Sequence, residues 1–134
     1  MIYQKVASRS ANVNLPSFFV FLVLGAEFFF GRVACADNVS ILNVESSCID
    51  QICTFNVTLE HDDAGWEHYA DFWQIVSADG IELGKRVLLH PHVNEQPFTR
   101  SLSGVNIPKD IKTVWVEAHD SVHGKSPHIY KVEF

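Results

Sequence analysis

Seven histidines are the residues of this chain whose type and position could do chemistry, and all of them lie beyond residue 60. Imidazole is the commonest side-chain metal ligand, and its ordinary pKa lies close to neutral pH. Each histidine lies in or beside a segment rich in turn residues. The pattern predicts a metal site or a pH-dependent contact, provided that the fold brings these segments together. The seven are His61, His68, His90, His92, His119, His123 and His128.

The first 36 residues have the organisation of a secretory signal peptide. A basic start precedes an apolar run at 18–24, and Ala34-Cys35-Ala36 supplies the small residues that a signal peptidase reads. We therefore assign residues 1–36 to a signal peptide and residues 37–134 to one mature domain, with cleavage before Asp37. The protein is expected to be exported, either to the periplasm or out of the cell.

A lipid anchor on Cys35 is the alternative to simple cleavage. Arg32 weakens this alternative, because a lipobox has an aliphatic residue three positions before its cysteine. Glu27 and Arg32 also interrupt the apolar run, which leaves it too short for a transmembrane helix of about 20 residues. We expect no membrane span in the mature form.

The mature domain is acidic. Three of the ten basic residues and one of the sixteen acidic residues belong to the predicted signal peptide, so the remaining chain carries a net charge of about −8 with neutral histidines. This charge disfavours nucleic acid and anionic membrane surfaces as partners. It favours a cation.

Two cysteines remain after the predicted cleavage, Cys48 and Cys53, separated by a segment of hairpin length. An even number of cysteines in an exported domain favours a disulfide. The alternative is half of a metal site, but no second pair of thiols is present to complete a thiolate site.

Short runs of alternating apolar and polar residues, bounded by turn residues, predict an all-β domain. Phe55, Val57 and Leu59 show this alternation most clearly, and Trp73 stands at the centre of an apolar strand. Seven such strands in about 100 residues are typical of an immunoglobulin-like or fibronectin-III-like β-sandwich. We place their starts near Ser40, Thr54, Tyr69, Ile81, Gln96, Thr113 and Ile129, with 104–110 as a connection and 119–127 as a long polar loop.

If successive strands alternate in direction, three loops share one pole of the sandwich. These are the loops after the second, fourth and sixth strands, and all seven histidines lie in or at the edge of them. The loops at the opposite pole hold none.

This arrangement predicts a site for Zn(II) or Cu(II), whose preferred ligands include imidazole and carboxylate. The mature chain has no methionine, which excludes a thioether site. Pro91 holds His90 in extended geometry, so that the two imidazoles of His90-Pro91-His92 fall on one side. The predicted ligands are His68, His90, His92 and His123. Residues that would hold a ligand imidazole in one tautomer are Glu67, Glu95, His119 and Asp120.

Four segments stand out in the mature chain: Glu67-His68-Tyr69-Ala70-Asp71, Leu88-Leu89-His90-Pro91-His92, Glu95-Gln96-Pro97-Phe98-Thr99-Arg100 and Asp120-Ser121-Val122-His123-Gly124. Together they resemble segments of a group of small exported bacterial proteins of uncharacterised function. The resemblance covers most of the mature chain and implies a β-sandwich fold.

Two functions are therefore in view. In the first, the loops at one pole bind a divalent metal ion. In the second, the same loops contact a partner protein or a glycan, and the histidines make that contact pH-dependent. An enzyme is disfavoured, because Ser121 and its histidine neighbours lie too close in sequence for a catalytic triad and no nucleophile elbow is present.

Overall fold

The computed structural model describes residues 37–134, and the predicted signal peptide lies outside them. In the described residues the chain forms seven β-strands and no helix. These residues therefore contain no helix that could cross a membrane. The prediction of an all-β domain with seven strands is confirmed. The strands are β1 (Ser40–Ile49), β2 (Ile52–Glu60), β3 (Ala70–Val76), β4 (Glu82–Val87), β5 (Phe98–Asn106), β6 (Thr113–Asp120) and β7 (Gly124–Glu133).

The strands form two antiparallel sheets. One sheet has three strands in the order β1-β2-β5, and the other has four in the order β4-β3-β6-β7. The chain changes sheet between β2 and β3, between β4 and β5, and between β5 and β6. Because β3 and β6 are antiparallel, the start of β3 lies beside the end of β6. The loop after β2 reaches the same pole, where Asp63 accepts the Ala70 N–H.

The core lies between the sheets and is built from alternating residues. Phe55, Val57 and Leu59 of β2 are fully buried, as is Trp73 of β3, while the residues between them face outwards. Strand β6 repeats the pattern, with every second side chain buried from Val114 onwards. Such alternation is what a sheet with one covered face requires.

The prediction of a long polar loop at 119–127 is wrong. Strand β6 continues to Asp120, and β7 begins at Gly124 rather than near Ile129. The carboxylate of Asp120 closes this tight turn, because its Oδ1 accepts the backbone N–H groups of Val122 and His123 at 2.9 and 2.6 Å. His119 and His128 are therefore strand residues.

The strands at the opposite pole are also longer than expected. β1 reaches Ile49, and β5 extends to Asn106 into the segment expected to be a connection. Cys48 and Cys53 lie opposite each other across the β1–β2 hairpin, with their sulfurs at disulfide distance. The pair closes the end of the sandwich remote from the histidine loops.

Replacing Leu59 by alanine should destabilise the domain strongly, because Leu59 is fully buried. We expect Leu59→Ala to lower the free energy of unfolding by about 2–5 kcal/mol in urea titrations. Leu42 is 48% exposed, so Leu42→Ala serves as the control, with an expected change within about 0.5 kcal/mol. Equal effects of the two substitutions would contradict the assignment of Leu59 to the core.

Candidate metal centre at the loop pole

Three segments meet at one end of the sandwich, residues 61–69, 88–97 and 121–123, which we call the loop pole. The first and third are joined by two hydrogen bonds. The Ser121 N–H donates to the Tyr69 carbonyl at 3.0 Å, and the Tyr69 N–H donates to the Ser121 hydroxyl at 3.1 Å.

The first and second segments of the loop pole are joined mainly by the buried carboxylate of Asp63. Its Oδ1 accepts the Ala70 N–H at 2.9 Å and lies 2.6 Å from Nδ1 of His61. Its Oδ2 accepts the His92 N–H at 2.6 Å. A charged acceptor with three donors stabilises the loop pole more than neutral hydrogen bonds would.

His61 is fully buried, and both of its ring nitrogens face acceptors. Its Nδ1 faces Asp63, and its Nε2 lies 3.0 Å from the backbone carbonyl of Asp37. Asp37 also accepts the Asp62 N–H through its side chain at 3.2 Å. The start of the described chain is thus tied to the loop pole through His61 and its neighbour.

Three further side chains lie beside His61 in one chain of contacts. The ring of His68 packs edge-on against His61 with centroids 4.8 Å apart, and against His123 with centroids 4.9 Å apart. The fully buried Oδ1 of Asp120 lies 3.4 Å from His68 Nε2 and 3.3 Å from His123 Nδ1. Donor atoms of His61, His68 and Asp120 all lie within 4.8 Å of one another, so this group could hold a metal ion.

Two atoms of this group are buried without a hydrogen-bond partner among residues 37–134: Nε2 of His68 and Oδ2 of Asp120. Buried polar atoms are almost always paired in folded proteins, and each exception calls for an explanation. Here the two atoms belong to neighbouring side chains, a ring nitrogen of one and a carboxylate oxygen of the other. These are the atoms through which imidazole and carboxylate bind a metal.

The carboxylate of Asp120 stays ionised despite its burial. Burial alone raises the pKa of this carboxyl group. The backbone N–H groups of Val122 and His123 and the charge of the nearby imidazoles lower it by more, so the pKa of Asp120 lies below its ordinary value. A buried anion beside a buried imidazole favours a cation between them.

His90 and His92 form a second group at the loop pole. Their rings lie 4.6 Å apart, and the buried ring of His92 stacks on Phe98 at 3.9 Å. Burial lowers the pKa of His92, and the charges of Arg100 and His90 lower it further, against opposing effects of nearby carboxylates. His92 is therefore held towards its neutral form.

The four predicted ligands thus divide between two places. His68 and His123 lie together beside Asp120. His90 and His92 lie on the other side of Asp63, whose Oδ2 is 3.8 Å from His92 Nδ1.

The residues expected to orient ligands have varied surroundings. Asp120 is beside two imidazoles, whereas Glu67 is exposed on the surface. Glu95 makes a two-pronged ion pair with Arg100 at 2.9 and 3.2 Å, and this pair lowers the pKa of Glu95. His119 stacks on Phe72 outside the core, with its Nδ1 2.6 Å from Asp71.

Two residues of the loop pole, one in the group and one beside it, were missed as site residues from the sequence. His61 stands at a strand end, where a structural histidine is the commoner case, and Asp63 is one of several carboxylates in its loop. The spacing His61-x-Asp63 carried the available signal, because a carboxylate two residues from an imidazole can hold it in one tautomer. Their roles depend on Ala70, His92 and Asp37, which only the fold brings near.

Comparison with known proteins gives one informative match. The chain is 47% identical over 70 residues to a protein of Halomicrobium mukohataei whose name assigns it provisionally to the lipoproteins. The matched region is 52% of this chain and 34% of that protein, so the chain spans about a third of the length of the curated relative it matches. No protein-family model matches the chain, and no solved structure matches it significantly.

Replacing Asp63 by asparagine should loosen the loop pole, because an amide nitrogen would face one of the N–H donors that the carboxylate now accepts. We expect Asp63→Asn to lower the free energy of unfolding by about 3 kcal/mol. The matched control is Asp62→Asn next to it, since the Asp62 side chain is exposed. Equal stability of the two variants in urea unfolding would contradict the role given to Asp63.

Proposed function

We propose that this protein binds one divalent transition-metal ion at the loop pole, through His61, His68, Asp120 and His123. The observation that carries the proposal is that two neighbouring side chains, His68 and Asp120, each have a buried atom without a hydrogen-bond partner in the described chain: His68 Nε2 and Asp120 Oδ2, two of five such atoms there. An ion between them would satisfy both.

His61, His68 and Asp120 have donor atoms within 4.8 Å of one another, and His123 lies beside Asp120 as a fourth ligand. In a tetrahedral site with bonds of about 2.0–2.1 Å, neighbouring donor atoms are about 3.3–3.4 Å apart. The Oδ1 atom of Asp120 lies 3.4 Å from His68 Nε2 and 3.3 Å from His123 Nδ1, and Oδ2 of the same carboxylate is the oxygen left for an ion. Small shifts of these side chains would bring their donor atoms onto one ion.

His61 would join through Nε2, with Asp63 holding its Nδ1–H. This is the carboxylate–histidine–metal arrangement, in which the carboxylate fixes the tautomer and raises the basicity of the ligand. The ion would then take the place of the Asp37 carbonyl, which lies 3.0 Å from His61 Nε2. Metal binding would therefore release the contact that ties Asp37 to this histidine.

The ligand types favour Zn(II) or Cu(II), because the four donors are imidazole nitrogens and a carboxylate oxygen without sulfur. Four protein ligands leave no position open for a substrate, and this favours holding or carrying an ion over catalysis. We accordingly place the protein with metal-binding proteins and not with metalloenzymes.

We also propose a fold family and a cellular location for the protein. We infer an immunoglobulin-like or fibronectin-III-like sandwich, because the domain has seven strands in two antiparallel sheets. In this architecture three histidine-bearing segments lie at one pole. In constant-type immunoglobulin domains the fourth strand belongs to the sheet of the first, second and fifth, whereas here β4 pairs with β3.

For the cellular location we propose export with cleavage before Asp37. The alternative is a lipid anchor on Cys35, which the name of the Halomicrobium relative supports.

A second candidate function is a contact with another protein or with a glycan through the loop pole. The observation that favours it is the exposure of large apolar side chains on these loops: Trp66 is 68% exposed and Leu89 78% exposed. Exposed tryptophan is enriched in interaction surfaces. In this case the histidines would take part in the contact and would not bind an ion.

Calorimetric titration of Zn(II) into the metal-free purified protein at pH 7.5 tests the main proposal. We expect one tight equivalent, with affinity lowered by more than about tenfold in His68→Ala and in Asp120→Asn, since even residues that only support a ligand contribute about 10–100-fold. Asparagine keeps the acceptor for the turn at Val122, so Asp120→Asn tests the charge with the turn retained.

The matched control for this titration is His128→Ala, which removes an exposed histidine on β7. Its affinity for Zn(II) should equal that of the wild type. Weak binding of several ions that is insensitive to His68→Ala and Asp120→Asn would overturn the proposal, and the contact function would then lead.

The mature amino terminus tests the proposed export. Intact-mass analysis of the full chain expressed with its leader should give a soluble species that begins at Asp37, and Cys35→Ala should leave its mass and its fractionation unchanged. A membrane-bound species that is acylated, and that Cys35→Ala abolishes, would establish the lipid anchor instead.

A further inference from the structure

His90 and His92 lie in a depression that is separate from the four-ligand group. The depression is open to solvent, has a volume of about 500 Å³, and is lined by Gly65, Trp66 and the segment 90–95. The two imidazoles belong to the same wall of this depression, with ring centroids 4.6 Å apart and planes tilted by 38°.

We assign the ring hydrogens of His90 and His92 from the groups that face their Nδ1 atoms. His90 Nδ1 lies 3.1 Å from the carbonyl of Pro91, to which it donates. His92 Nδ1 is buried and is 3.8 Å from Oδ2 of Asp63, and a carboxylate at that position favours a hydrogen on this nitrogen. Both rings therefore keep Nε2 as the nitrogen with a free lone pair.

One ring of the pair, that of His92, is held in place before any ligand arrives. The His92 ring stacks on Phe98 at 3.9 Å with its plane only 9° from that of the phenyl ring. Its backbone N–H donates to Asp63 at 2.6 Å, and its carbonyl accepts a hydrogen bond from the side chain of Gln96 at 3.2 Å. A ligand side chain that is already fixed, as His92 is, loses little entropy when it binds an ion.

The charge beside the pair is balanced. Arg100 is the cation that would repel a metal here, but Glu95 at the edge of the depression binds its guanidinium group at 2.9 Å. Within the described chain, which is acidic overall, the depression therefore presents two imidazoles without a net positive charge beside them.

We propose that His90 and His92 form a second, open metal site that takes Cu(II) through the two Nε2 atoms. Among the common divalent metals, Cu(II) binds nitrogen ligands most tightly. It also accepts a tetragonal arrangement in which two positions are filled by imidazoles and the others by water or by a ligand from a partner. The open positions make this an exchange site, in contrast to the four-ligand group behind it.

The test is a titration of the purified protein with Cu(II), followed by electron paramagnetic resonance of the bound copper. The wild type should bind two equivalents. His90→Ala, which changes an exposed side chain and leaves the stacked His92 ring in place, should lose one of them together with its spectral component. His128→Ala, the matched control, should keep both.

A second variant separates this proposal from the first. His68→Ala removes a ligand of the four-ligand group and leaves the depression unchanged, so it should retain the copper signal that depends on His90. Two equivalents remaining in His90→Ala would overturn the second site. So would the absence of any bound copper in His68→Ala, even if the wild type bound one equivalent tightly.

Discussion

The carboxylate of Asp63 is the buried charge on which the loop pole depends. Removing a carboxylate from water costs free energy, and that cost is offset here by hydrogen bonds to Ala70, His61 and His92. These donors come from the start of β3, the loop before it and the loop after β4. One anion therefore fixes the positions of two loops, and it fixes the orientation of His61 and of the backbone at His92 at the same time.

The same carboxylate lies between the two histidine groups. On one side it faces His61 Nδ1 at 2.6 Å, and on the other it accepts the His92 N–H and lies 3.8 Å from its ring nitrogen. An ion bound on either side would draw electron density from an imidazole that Asp63 supports. Occupation of one site would therefore influence the other through a residue that binds neither ion, by a mechanism that is electrostatic and short in range.

The sequence was most informative where local pattern decides the structure. Alternation in Phe55, Val57 and Leu59 predicted a strand with one buried face, and counting strand directions brought the histidine loops to one pole. Prediction from the sequence failed where tertiary contacts decide the structure. Asp120 ends β6 in a tight turn that its own carboxylate closes, whereas the polar composition there indicated a long loop. The central role of Asp63 depends on donors far along the chain, so no local pattern distinguishes it from Asp62.

The proposed function depends most on an ion between His68 and Asp120, neighbouring residues that each have a buried atom without a hydrogen-bond partner in the described chain. An anomalous difference map at the zinc absorption edge, from crystals of the zinc-loaded protein, tests it most directly. We predict the strongest peak within about 2.0–2.2 Å of His68 Nε2 and of Asp120 Oδ2. Density for ordered water at that position, with zinc only on surface side chains, would contradict it.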